Sequence, residues 1–488
     1  MHSRTFTIAD QVAFEKLSGD NNPLHMDAVA ARRLLFGRPV VHGIHLVLWA
    51  LDDYASDGVA PSTLRAIKAQ FLRPVGVEET VRYSITGRTD QRIELKLTSS
   101  GVLSTKIQIE FEPWRHRKNS LPAGIPGQRS ARALAEGEIA SQIGHLDLSV
   151  DSELTATLFP RLTQCLPAVQ IVTLLTTSRL VGMECPGLNS VYFELDLSSA
   201  ANAGQNRLDY RVTRYERALG LVVMQVNAPG LAGTVKAFVR PSVQRQAAYA
   251  DLKPRVASTE FLHQHVLVVG GSRGLGEVAA KLLCAGGANV KFTYHRGRED
   301  AVRLRDEIIA QGGTADCLQL DVLRSEDGSF IDELGNWRPT HLCFFATPFI
   351  FSSATGVFSS DRFDRFCAYY VHGFANLVNQ LAPLGLRRVL YPSSVSINEV
   401  APNMGEYVVA KAAGELLCTF LEKTLRGITI LCPRLPRLAT DQTVSLRQIN
   451  NADPVPVILN VLRAFSVPAT DREAVPLQPE SVENSQLL

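Results

Sequence analysis

The sequence predicts two unlike architectures in one chain. The amino-terminal half reads as α+β, built twice from one apolar helix and an antiparallel meander. The carboxy-terminal part reads as a doubly wound α/β domain. Three observations carry this. Residues 64–112 follow an apolar helix with four β-rich runs, and the last of them, VLSTKIQIEF, alternates with period two. Residues 151–242 repeat that order more loosely. From His265 the chain changes character: HVLVVGGSRGLGEVAAKLLCAGGANVKFTYHRG is a buried strand, a glycine-rich turn, a helix and a second strand.

Length and composition set the frame for these elements. The chain has 488 residues, enough for about two to four domains with ample cores. It is 45% hydrophobic and 20% charged with net charge +2, a balance that asks for neither nucleic acid nor an acidic surface. The opening MHSRTFTIAD does not read as a signal peptide, and no run of eighteen apolar residues suggests a membrane span. Eight cysteines without a Cys-x-x-Cys argue against a disulfide framework and against a zinc site. A cytoplasmic, reducing location is the expectation.

The first element with chemistry is Ser18 to Gly43, SGDNNPLHMDAVAARRLLFGRPVVHG. Pro23 fixes its own φ and biases Asn22 away from the helical region, so Asp20 and His25 are expected in an irregular turn. A carboxylate and an imidazole aimed at one water are what acid–base hydration or dehydration needs. His42 and Gly43 then open an apolar helix whose first N–H groups lack partners and can polarise a carbonyl oxygen.

These residues resemble the signature of the MaoC-like, (R)-specific enoyl-thioester hydratases of the hot-dog fold. The match runs through Asp20, Asn22, Pro23, His25 and Asp27, then Phe36, Arg38, Pro39, Val41, His42 and Gly43. The resemblance implies that Asp20 and His25 are the catalytic dyad and that Gly43 N–H holds the thioester carbonyl. Phe71, Arg73, Pro74 and Val75 also fall where this family has a Phe-x-x-Pro-Val strand.

The dyad-bearing hot-dog unit is placed at 1–118 and a Pro/Gly/Ser-rich linker at 119–150. The basic run Arg115, His116, Arg117 and Lys118 closes the first unit, either solvated or touching a carrier phosphate. Residues 151–242 form a second unit with an apolar helix over about 162–181 and four strands, but no Asp-x-Asn-Pro-x-His. It is expected to complete a pseudo-dimer, walling an acyl tunnel or simply packing, since hot-dog sheets expose a long edge. A second linker occupies 243–261, the α/β domain 262–466, and a disordered tail 467–488.

In the α/β domain Gly270, Gly274 and Gly276 let the backbone approach a pyrophosphate at a helix N-terminus, with Ser272 and Leu275 in the same loop. The second strand ends without the acidic residue that would bind the ribose of NAD. Arg273, Arg296 and Arg298 favour the 2′-phosphate of NADP instead. Tyr407 and Lys411, four apart on a helix, share a face, and Ser394 ends a strand before them. A nearby ammonium is expected to lower the phenol pKa, making Tyr407 a general acid toward a carbonyl.

Residues 263–466 resemble the short-chain dehydrogenase/reductase family. That resemblance assigns catalysis to Ser394, Tyr407 and Lys411, and it places Asp321 with Val322 near the adenine and Ala346 with Thr347 against the cofactor. Val269, Tyr370 and Pro433-Arg434 depart from the family pattern. Together the two resemblances imply an NADPH-dependent ketoreductase fused to a dehydratase. Its substrates would be acyl carrier protein or coenzyme A thioesters, with no nucleic acid or membrane partner, and homodimers are expected. Two alternatives stay open: hydration followed by oxidation in the degradative direction, and a hydratase with a non-catalytic nucleotide-binding module.

Overall fold

The structure, a computed structural model, describes residues 2–56, 61–113, 121–200, 205–351, 358–446 and 449–467. The basic run at 115–118 and the tail from 468 lie outside the described residues. Two units divide between Ser242 and Val243, and each is described by itself.

In the first unit, β1 (Ser3–Thr5) leads into helix α1 (Ile8–Ser18). A Thr7–Asp10 capping box fixes its start and Gly19, at φ 74°, fixes its end. Helix α2 (Gly43–Ala55) is apolar almost all round and therefore buried. Strands β2 (Ser62–Phe71), β3 (Thr80–Arg88), β4 (Arg92–Ser99) and β5 (Val102–Pro113) complete the first repeat. The second comprises β6 (Ile143–Asp147), helix α3 (Ala168–Arg179), β7 (Ser190–Ser199), β8 (Arg207–Glu216), β9 (Leu221–Ala228) and β10 (Leu231–Val239).

All ten strands join one sheet in the order β1-β3-β4-β5-β2-β7-β10-β9-β8-β6. Read outward from its middle, each half has the same order, so the sheet is two hot-dog repeats set edge to edge. The seam is antiparallel, from Ala66 opposite Ser198 to Gln70 opposite Glu194. Alternate residues on both sides of it (Ile67 and Ala69, Leu195 and Leu197) turn into one core shared with α2 and α3.

Two expectations about this half change. The span 119–150 is not a bare linker: it holds a helical turn, Glu136–Ile139, and the edge strand β6, which pairs with β8. Buried Leu146 and Leu148 tie it down, a signal too short for a periodicity to register. The helix expected over 162–181 is broken, because Pro167 forces Leu166 into extended backbone. Helix α3 then starts at Ala168 and runs into a π-helical turn, Leu180–Glu184.

In the second unit, β11 (His265–Val269), β12 (Asn289–Tyr294), β13 (Ala315–Gln319), β14 (His341–Phe344), β15 (Arg388–Leu390) and β17 (Thr429–Leu431) form a parallel sheet. Its order is β13-β12-β11-β14-β15-β17. β16 (Ser393–Ser394) pairs separately with β18 (Arg434–Leu435). This is the doubly wound order, with the switch point between β11 and β14, where ligands of such sheets bind. Helix α4 (Gly274–Ala285) follows β11, and helix α5 (Gly405–Thr424) packs on the opposite side of the sheet from it. The span 243–261 is also no free linker. Its Tyr249, Leu252 and Phe261 are buried in this core, and its Ala247 carbonyl accepts from the buried Lys281 ammonium.

Candidate active site

Helix α1 delivers the chain to Asp20, and Asn22 then caps a single helical turn, Pro23–Met26, through its Oδ1 on Leu24 N–H (3.1 Å). That turn carries His25. His25 Nδ1 lies 2.7 Å from the Val40 carbonyl, which can only accept, so Nδ1 holds the proton and Nε2 is the free base. The His25 and His42 rings stack with centroids 3.8 Å apart. His42 Nε2 donates to the Asp20 carbonyl at 2.9 Å. Donor atoms of Asp20, His25 and His42 all lie within 4.8 Å of one another. Gly43 opens α2, so its N–H has no intrahelical acceptor. A Cβ there would sit 2.9 Å from the Phe71 ring.

Burial governs the titration of this cluster. It pushes Asp20 up, against His25, the Ser178 hydroxyl and Asn22 N–H, which favour the carboxylate. It pushes His25 down, against Asp20 and the Val40 carbonyl, and the Arg240 cation pushes it further down. His42 lies well below the ordinary imidazole range, from burial first and then His25. Burial thus draws the acid upward and the base downward, toward one another.

The dyad-less repeat contributes side chains and backbone to this cluster. Ser178, on α3, donates its hydroxyl to Asp20 Oδ2 at 2.7 Å from 158 residues away. In the π turn, the Gly182 carbonyl accepts from Asn22 Nδ2 at 2.8 Å, and a Cβ on Gly182 would lie 2.1 Å from Asp20 Oδ1. Arg240, 2% exposed, donates to the Leu188 carbonyl, which also accepts from Asn22 Nδ2. Its Nε is buried without a partner among the described residues. Sequence reasoning missed all three residues. Their types are common, and nothing in their spacing ties them to the distant dyad.

In the α/β unit, the glycine loop leaves β11 at Gly270 (φ 78°), where a Cβ would lie 2.8 Å from Ala346 N. A Cβ on Gly276 would lie 2.3 Å from the Gly270 carbonyl. Only glycine permits this closeness of turn, helix and neighbouring strand. Gly274 (φ 58°) opens α4, and no side chain caps that end. The loop therefore keeps the cradle a pyrophosphate needs. Ser272 is buried in it and Leu275 half-buried.

Arg273 pairs with Asp441 at 2.5 Å, whereas Arg296 lies just beyond β12 and Arg298 begins the next helix. Asp321 caps the following turn through Leu323 N–H and lies 3.5 Å from His295 Nε2. Val322 is buried beside Gly373. Ala346 crosses the switch point, and the Thr347 hydroxyl bonds that of Tyr370.

Ser394 on β16 lies close enough to Tyr407 on α5 for its hydroxyl to favour the phenolate. Burial pushes the Tyr407 phenol up and the Ser394 hydroxyl opposes it; the expected lowering by Lys411 is not what dominates. The reason lies in Lys411 itself. Its ammonium donates to the Pro392 carbonyl at 2.7 Å and sits 4.0 Å from the Tyr370 ring centroid and 4.6 Å from that of Tyr391. Burial draws its pKa down to about 8, so it is a weakened cation.

Comparison with known proteins finds one family model in each unit. The family model for the MaoC like domain matches residues 1–106, and that for short chain dehydrogenase matches 264–448. Protein MaoC of Klebsiella aerogenes is 38% identical over 85 residues, 17% of this chain and 25% of that protein. Peroxisomal multifunctional enzyme type 2 of Drosophila melanogaster is 35% identical over 83 residues, 16% of this chain and 14% of that protein. The chain thus matches a quarter or less of each of these relatives. A short-chain dehydrogenase/reductase of Serratia marcescens superposes with TM-score 0.39 and 19% identity, covering 43% of this chain and 92% of that one. The chain joins a MaoC-like domain at its amino terminus to a short-chain dehydrogenase domain at its carboxy terminus.

Proposed function

We propose that the chain is a bifunctional ketoreductase–dehydratase of fatty-acid or polyketide type. It reduces a 3-oxoacyl thioester of acyl carrier protein or coenzyme A and dehydrates the resulting (3R)-hydroxyacyl thioester to the trans-2-enoyl thioester. The observation that carries the reading is the buried Asp20 and half-buried His25 beside the open start of α2, in one chain with Ser394 next to Tyr407 on a glycine-loop fold. NADPH, when bound, supplies the hydride. Gly270, Ser272, Gly274, Leu275 and Gly276 would hold its pyrophosphate, Asp321 and Val322 its adenine, Arg296 and Arg298 its 2′-phosphate, and Ala346 and Thr347 its nicotinamide side. Tyr407 gives its phenolic proton to the substrate carbonyl oxygen, Ser394 orients that oxygen, and Lys411 holds the phenol's charge balance.

In the dehydration step, His25 Nε2 takes the α-proton and protonated Asp20 gives its proton to the departing hydroxyl, which leaves as water. Gly43 N–H stabilises the enolate oxygen between the two transfers. The free Nε2 and the raised Asp20 pKa support this division of roles. Eight free cysteines fit a reducing, cytoplasmic setting. Among the described residues no helix is long and apolar enough to cross a membrane. A homodimer is favoured by the apolar stripe Val409, Leu416 and Phe420, exposed on α5.

Mixing protein, NADPH and a short 3-oxoacyl thioester tests the reading. Loss of absorbance at 340 nm with enoyl product is expected from the wild type. Asp20→Asn should stall at the 3-hydroxyacyl thioester, and Tyr407→Phe should consume no NADPH. A second reading, enoyl hydration followed by oxidation, predicts faster turnover with NAD⁺ from the hydroxyacyl side. Hydration of a crotonyl thioester without any hydride transfer would instead leave the α/β unit a binding module.

A further inference from the structure

The Arg273–Asp441 pair has a place in the fold that the proposed reaction leaves unexplained. Thr440 caps a 3₁₀ turn, Asp441–Thr443, held by Thr440 N–H on Thr443 Oγ1 (2.9 Å), Thr443 Oγ1 on the Leu438 carbonyl (2.6 Å) and Arg437 on the Thr443 carbonyl (2.9 Å). This turn ties down both sides of the switch point. Asp441 Oδ2 holds Arg273 of the glycine loop, and Gln442 Oε1 accepts from Ile350 N–H beyond β14 (3.3 Å). Asp441 is 4% exposed, and its Oδ1 is 3.8 Å from where a Cβ would stand on Gly274. A carboxylate thus lies at the opening turn of α4, where a nucleotide phosphate belongs, and it occupies the arginine nearest that turn.

We propose that Asp441 competes with the 2′-phosphate of the nucleotide for Arg273, so that the 440–443 turn sets how strongly NADPH is preferred over NADH. The proposal rests on reading the α/β unit as a nicotinamide-dependent reductase. The chemistry is a contest between anions. A 2′-phosphate near neutral pH carries more charge than a carboxylate and offers three oxygens to the guanidinium fork, so NADPH can draw Arg273 away. NADH brings no such group and leaves the pair closed. The proposed exchange does not involve Arg296, Arg298, His295 or Asp321, which lie beyond β12 and β13. Asp441 therefore holds down an NADPH preference that the arginines alone would make larger.

The test is nucleotide binding to the full chain, followed by NADPH and NADH fluorescence and independent of turnover. Asp441→Asn keeps the side chain's shape and removes its charge. It should widen the ratio of the NADH to the NADPH dissociation constant about tenfold, the size of a released, partly buried charge pair. In an Arg273→Met background the same substitution should leave the ratio unmoved. A ratio unchanged by Asp441→Asn, whatever happens to each constant, overturns the competition while leaving the reductase reading intact. So does equal widening with and without Arg273. Failure of wild type and variants to bind either nucleotide overturns the reductase reading and the competition with it. A matching thermal melt of Asp441→Asn and wild type separates these outcomes from loss of fold.

Discussion

Removing the Ser178 hydroxyl leaves Asp20 Oδ2 without that donor in a buried site. A hydrogen bond to a charged group is worth about 1.5–3 kcal/mol, so Ser178→Ala should cost roughly tenfold to a hundredfold in crotonyl-thioester hydration. The sign of its pH effect follows from the charges around Asp20. Burial raises its pKa, and His25, Ser178 and Asn22 N–H oppose that. Without Ser178 the pKa rises further. Hydration needs the carboxylate to take a proton from water, so the acid limb of its pH profile should move to higher pH. An unmoved limb with lower activity would make Ser178 merely a packing residue. At this scale the sequence was informative where chemistry is local: Asp20, Asn22 and His25 share one proline-set turn. It was silent where a site is assembled from afar, because a lone serine 158 residues away has no spacing to read.

Among the elements, the π turn Leu180–Glu184 is where the helix of one repeat gives way to the active loop of the other. It presents Gly182 to Asp20, with no room for a Cβ. Gly182→Ala should therefore displace Asp20, cost about 1–3 kcal/mol in the stability of the first unit, and abolish hydration while NADPH oxidation by a 3-oxoacyl thioester continues. Circular dichroism melts and the two assays, run on one preparation, check this. An apolar run announced a helix here but not its π turn, which lies at the end of the run, where too few residues remain to show a change of period. The same blindness hid β6, whose five residues are too few for an alternation to stand out. The glycine loop and Tyr407–Lys411 were legible because their spacing is set by a single strand–turn–helix and by one helical face.

For the whole molecule, the apolar residues Val409, Leu416 and Phe420 lie along α5, the helix that also carries Tyr407 and Lys411. Leu416 is 74% exposed and Phe420 61%, a large apolar cost in water unless covered. If a second copy covers them, Leu416→Glu with Phe420→Glu should convert a sedimenting dimer to monomer, and weaken reductase activity more than hydratase activity. The doubly wound order of the carboxy-terminal sheet followed from alternating strands and helices. The junction of the two amino-terminal repeats did not, since edge pairing between β2 and β7 depends on both strands at once and neither announces its partner.

That seam has an evolutionary reach. Where identical copies pair about a twofold axis, every substitution appears twice, and a residue that helps one site must be tolerated at its mirror position. Here the copies are covalently joined and aligned by five residue pairs between β2 and β7, so each is free to drift alone. One has kept the aspartate–histidine turn. The other, relieved of that duty, could acquire a serine, a bare glycine and a buried arginine that would be useless or harmful in its twin.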